Sequence, residues 1–100
     1  MFEIVTLCGS TKFKLLFEEI NRNFTFEGKI VLQPGCFAHY DNIIITEEQK
    51  IKLDELHKKK ILLSQFIYVI NEGGYIGTST QSEIDFANEH NIPVYYYHEV

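Results

Sequence analysis

Several features that would place a chain in a large functional class are scarce here. The 100 residues include only two cysteines, Cys8 and Cys36, with no Cys-x-x-Cys pair, which excludes a disulfide scaffold. Two reduced thiols fit a cytoplasmic protein. No apolar run reaches the roughly 18–20 residues that span a bilayer, so no membrane association is expected. The opening Met1-Phe2-Glu3 is acidic and lacks a small-residue cleavage site, so no signal peptide is expected. Basic charge is also short: 9 Lys and Arg against 14 Asp and Glu give a net charge of −5. That balance argues against a DNA or RNA polymer as partner. It leaves room for one small phosphorylated molecule, because a local pocket can oppose the global charge.

Tryptophan is absent, but 8 Phe and 6 Tyr supply large side chains for a core. A chain of this length makes one domain, 1–100, and buries roughly 60–65% of its unfolded surface. The apolar share of 45% excludes disorder as the main state.

The pattern alternates strands and helices. Phe2 to Leu7 is a β-branched and apolar run closed by Gly9-Ser10-Thr11. Phe13, Leu16, Phe17, Ile20 and Phe24 then form an apolar helical stripe, which Ser10 or Thr11 can cap and Glu27-Gly28 ends. Lys29 to Gln33 is a short strand, and residues 34–46 are the longest irregular stretch. Thr46-x-x-Gln49 predicts a capping box for a second helix running to about Leu63. Lys58-Lys59-Lys60 then reads as a solvated helix end. Phe66 to Ile70 is a continuous apolar run, expected of a strand covered on both faces. A glycine-rich loop, a third helix from about Ser79 to His90 and a strand from Pro93 to Tyr97 complete the chain.

This order predicts an α/β fold: a flavodoxin/Rossmann-like three-layer sandwich on a four-stranded parallel sheet of order 2-1-3-4. Such sheets bind ligands beyond the carboxyl ends of their strands, where the strand order reverses. Cys8 to Thr11, Pro34 to Asp41 and Asn71 to Thr80 occupy those ends.

Gly9-Ser10-Thr11 reads either as an anion-binding turn or as a simple helix cap. Cys8 and Lys14 have the spacing of a Cys-x5-Arg phosphatase loop, with an ammonium where that chemistry needs a guanidinium. Gly73-Gly74-Tyr75-Ile76-Gly77 lets a backbone approach a ligand, yet lacks the dinucleotide fingerprint, so no cofactor is expected. Glu83 follows in what reads as a first helical turn, where Thr80-x-x-Glu83 also fits a capping box. His39, His57, His90 and His98 show no ligand spacing, and no metal is expected. His39 stands out among them by its place in the long loop.

Gly9-Ser10-Thr11, the block Val69-Ile70-Asn71-x-Gly73-Gly74-Tyr75-Ile76-Gly77-x-Ser79-Thr80-x-x-Glu83-Ile84-x-x-Ala87 and the closing Pro93-Val94-Tyr95 together resemble the nucleoside 2-deoxyribosyltransferase-like family. The likeness covers the chain in outline. The Gly-Gly-x-x-Gly-Thr rhythm is also similar to that of nucleoside-monophosphate ribohydrolases of the lysine-decarboxylase-like group.

The resemblance implies a nucleoside or nucleoside 5′-monophosphate as partner and cleavage of the base–deoxyribose bond. Glu83 would be the nucleophile, kept ionised by the helix start. Gly9, Ser10, Thr11, Gly74, Tyr75, Gly77 and Ser79 would bind substrate. Of these, Ser10 and Thr11 would take a 5′-phosphate, and Tyr75 or Phe37 would stack on the base. The family usually carries an Asp before the third strand, where this chain has Ser64-Gln65-Phe66. Asp41, Glu72 or Asp85 could substitute; otherwise the chain is a non-catalytic nucleotide-binding module. So small a version of the fold has little material for pocket walls, so a homo-oligomer is expected, formed through the second helix and the Tyr-rich end.

Overall fold

The computed structural model describes residues 2–99. Strand β1 (Ile4–Gly9) lies at the centre of a parallel sheet, flanked by β2 (Ile30–Leu32) and β3 (Phe66–Ile70), with β4 (Val94–Tyr96) beyond β3. The order is 2-1-3-4, as expected, and every pairing is parallel. Strand order therefore reverses between β1 and β3, which opens a crevice at their carboxyl ends.

Side-chain alternation along β1 builds the two outer layers. Val5 and Leu7 face helix α1 (Lys14–Phe26) and pack with Phe17, Ile20 and Ile70. Cys8 faces the opposite side, where α3 (Glu47–Leu62) and α4 (Thr78–Glu89) lie over Ile67 and Val69. The predicted apolar stripe of α1 accounts for the first layer. Burial of β3 on both faces accounts for its unbroken apolar run.

Element boundaries shift slightly from expectation. A 3-10 turn, Thr11–Phe13, precedes α1 and takes its cap from Ser10, whose hydroxyl accepts from the Lys12 N–H. The long loop contains one extra turn of helix, α2 (Ala38–Asp41), ended by Asn42 in the left-handed conformation. β1 begins at Ile4 rather than Phe2, whose side chain is exposed.

The capping box of α3 forms as predicted. Gln49 N–H donates to Thr46 Oγ1 at 3.1 Å, and Thr46 N–H donates to Gln49 Oε1 at 2.9 Å. Thr46→Ala is expected to lower stability by about 1 kcal/mol in urea melts. No helix among the described residues is long and apolar enough to cross a membrane.

Candidate functional site

A cavity of about 510 Å³ opens at the reversal point. That volume suits a small-molecule ligand. Its floor comes from the carboxyl end of β1, its walls from the loops after β2 and β3, and its roof from α3. Gly9, Ser10, Thr11, Tyr75, Gly77, Ser79 and Glu83 all line it. Gly74 does not: it sits in the 3-10 turn Glu72–Gly74 with a φ of +85°, and its α-carbon faces His98. Its glycine serves the turn rather than a ligand.

Gly9 is required by packing. A Cβ there would lie 2.6 Å from the Ile70 carbonyl oxygen of the neighbouring strand. Beyond it, Ser10 and Thr11 already have local duties, Ser10 as the turn cap and Thr11 as acceptor of the His39 N–H at 3.2 Å. Both hydroxyls keep a proton to donate into the cavity.

Tyr75 lines the cavity half exposed, with the Lys12 ammonium 3.6 Å from its ring centroid. Phe37, the other ring proposed for a base, is instead buried in the core. It packs edge-on against Phe17 at 5.1 Å, on the α1 side of the sheet. The residue before α2 turns inward because that end of the core needs a large side chain.

Glu83 differs from expectation in position and in charge. The cap of α4 is Gly77, with no side-chain cap bond, so Glu83 lies in the second turn and Thr80 is a buried residue of the first. The capping-box reading therefore fails. Burial dominates the carboxyl and pushes its pKa up to about 7, while the hydrogen bond shared with Cys8 opposes that rise. The helix start does not hold it fully ionised.

Two further residues complete its surroundings, and neither was singled out as its partner from the sequence. Cys8 Sγ lies 3.5 Å from His57 Nε2, and His57 Nε2 lies 3.9 Å from Glu83 Oε1. Burial, and next the charge of Lys60, lower the His57 pKa to about 4, so the ring is neutral at pH 7. The Leu7 backbone opposes that fall, although the buried Nδ1 makes no hydrogen bond of good geometry. Burial, then the Glu83 charge, raise the Cys8 thiol well above its ordinary pKa. A fully buried, protonated thiol is no phosphatase nucleophile. Lys14 is also elsewhere, paired with Asp41 at 3.0 Å.

The signal for His57 lay in the row Lys50, Asp54, His57, Ile61. That i, i+4, i+7, i+11 spacing places all four on one helical face, which Ile61 anchors in the core. Lys50 Nζ donates to Ser79 Oγ at 3.0 Å and lies 3.3 Å from Asp54 Oδ2. Lys60 is not a solvated helix end: its ammonium donates to the Gln33 carbonyl at 2.7 Å and borders the cavity. Two cations thus stand on the wall of a pocket in an acidic protein.

None of the acids named as substitutes reaches this cavity. Asp41 is bound to Lys14, Asp85 accepts from Gln81 on the outer face of α4, and Glu72 borders a different groove. The carboxylates on the cavity wall, among the described residues, are Asp54 and Glu83. Ser64, at the position of the missing acid, bonds Thr6 Oγ1 and the Lys60 carbonyl and closes the end of α3. His39 and Cys36 border the cavity as well.

No family model, curated protein or solved structure matches the chain.

Proposed function

We propose that the protein cleaves the N-glycosidic bond of a nucleoside or nucleoside 5′-monophosphate, with Glu83 as nucleophile. The observation that carries this reading is the Glu83 carboxyl on a cavity wall shared with Ser10, Tyr75 and Ser79. A Glu83 oxygen would attack the anomeric carbon as the carbon–nitrogen bond to the base breaks. The base leaves with that electron pair and takes a proton from solvent. A second base or water then displaces the carboxylate, gives up a proton, and the glycosyl ester breaks. Splitting one displacement into two lowers each barrier.

The remaining wall suits this substrate class. The cations Lys50 and Lys60 favour an anionic substituent such as a phosphate. The exposed part of Tyr75 offers a ring to a base. Asp54 can accept from base or sugar N–H and O–H groups. Two free thiols fit a cytoplasmic setting. A homo-oligomer belongs to the same proposal: Ile44 is 97% exposed, and Ile51 and Leu56 are exposed on α3 beside the cavity. A monomer by light scattering that still turns over substrate would contradict it.

The test is incubation with deoxynucleosides and their 5′-monophosphates, followed by chromatography for free base. Base release that is lost in Glu83→Ala is the expected result. No release from any substrate, or release unchanged in Glu83→Ala, would overturn the proposal. Since the nucleophile must be ionised, kcat/KM is expected to fall about tenfold per pH unit below pH 7 and to level off above it. A profile flat from pH 5 to pH 8 would contradict Glu83 in that role.

The second reading is a nucleotide-binding module without turnover. It is favoured by Ser64 in the place of an acid and by its structural bonds there. Calorimetry separates the two: heat of binding with no base release supports the module.

A further inference from the structure

Cys8, His57 and Glu83 are remote in the chain, yet β1, α3 and α4 bring one ligating atom from each within 4.8 Å of the others. All three residues are buried. In tetrahedral zinc coordination, bonds of about 2.3 Å to sulfur and about 2.0 Å to nitrogen set those two atoms about 3.5 Å apart. The Cys8 Sγ to His57 Nε2 distance is 3.5 Å. The corresponding nitrogen–oxygen edge is about 3.4 Å. His57 Nε2 to Glu83 Oε1 is 3.9 Å, about half an ångström wider than that edge, so metal binding would have to draw the Glu83 carboxylate inward. A neutral ring with its proton on Nδ1 would aim the Nε2 lone pair at the other two ligands.

We propose that Cys8, His57 and Glu83 form a three-ligand site for Zn²⁺, with the fourth coordination position open to the cavity. The donor set selects the metal: a thiolate and an imidazole favour Zn²⁺ over Mg²⁺ or Ca²⁺, which prefer oxygen alone. On binding, the Cys8 S–H bond breaks, a zinc–sulfur bond forms and the proton passes to solvent. His57 and Glu83 border the cavity, so a small ligand or water can reach the fourth position. The site does not depend on the glycosyl reading. If both hold, the ion occupies the nucleophile, and zinc and turnover exclude each other.

The test uses metal-free protein titrated with Co²⁺ and then with Zn²⁺, read by absorbance. The expected result is one Co²⁺ per chain, with strong visible bands of a four-coordinate site and a near-ultraviolet thiolate charge-transfer band, all displaced by one equivalent of Zn²⁺. Cys8→Ser should lose the charge-transfer band, and Cys36→Ser should keep it. Glu83→Gln, which preserves side-chain shape should Cys8→Ser fail to fold, should weaken Zn²⁺ binding by more than the roughly 10–100-fold cost of losing an outer partner. No charge-transfer band, a band lost in Cys36→Ser, or unchanged affinity in Glu83→Gln would overturn the proposal. None of these readouts involves turnover, so failure of the glycosyl reading and failure of the zinc site are separate outcomes.

Discussion

Glu83→Gln is expected to slow base release by roughly 10³-fold or more while leaving the fold intact, because an amide cannot form the glycosyl ester. Chromatographic release assays on a variant with an unchanged far-ultraviolet spectrum check it. A loss confined to KM would mean that Glu83 only binds. The same substitution should alter how stability depends on pH. The Glu83 pKa is about 7 in the folded protein against an ordinary 4.5. Between those values the folded chain keeps a proton that the unfolded chain has lost, so stability falls as pH rises through this window, by roughly 3 kcal/mol. His57 acts with the opposite sign, at about 4 when folded against 6.5 ordinarily. Between those values the unfolded chain binds a proton that the folded chain refuses, so stability falls as pH drops, again by roughly 3 kcal/mol.

In the wild-type protein the two contributions oppose each other from about pH 4.5 to 6.5, and their sum is nearly flat. The Glu83→Gln substitution removes the first contribution and leaves the second. Urea melts of the variant should therefore show stability rising by roughly 3 kcal/mol between pH 4 and 6.5. They should also show a gain over wild type at pH 8, where wild-type Glu83 is a buried charge. Parallel pH profiles for the two proteins would refute the assignment.

Gly9→Ala is expected to cost roughly 3 kcal/mol or more in the same melts. The added Cβ would meet the Ile70 carbonyl at 2.6 Å, and the backbone φ of +153° is one that L side chains rarely adopt. Relief would require β1 and β3 to part at Gly9↔Ile70, the last pair of their ladder. The cavity floor lies at that point, so the damage should reach ligand binding as well. Gly35→Ala is the control, because nothing lies within 4 Å of its added Cβ. Equal melting of the two variants would show that β1 tolerates the methyl group.

The elements and their order were legible in the chain because each rests on local physics. The α1 stripe, the Thr46–Gln49 box and the apolar β3 run all act within one element and read directly. Parallel order 2-1-3-4 followed from the alternation, since right-handed crossovers leave few arrangements. The carboxyl ends of the strands were legible too, and six of the seven expected substrate-binding residues, all but Gly74, border the cavity there.

What the chain did not disclose depends on packing between elements. Thr80-x-x-Glu83 has the spacing of a cap, and only the start of α4 at Thr78 moves Glu83 into the second turn. Burial there makes its carboxyl a group with a pKa of about 7 rather than a helix-start anion. His57 and Cys8, 49 residues apart, meet because α3 returns over the face of β1 that Cys8 occupies. Phe37 left the site for the core because the end of the α1 layer needs its ring. Sequence alone determined a four-stranded α/β domain and the edge that carries its cavity, since helix and strand periodicity are local properties. Tertiary structure decided which acid, thiol and imidazole share that edge and in what charge state, since proximity and desolvation exist only once the layers have closed.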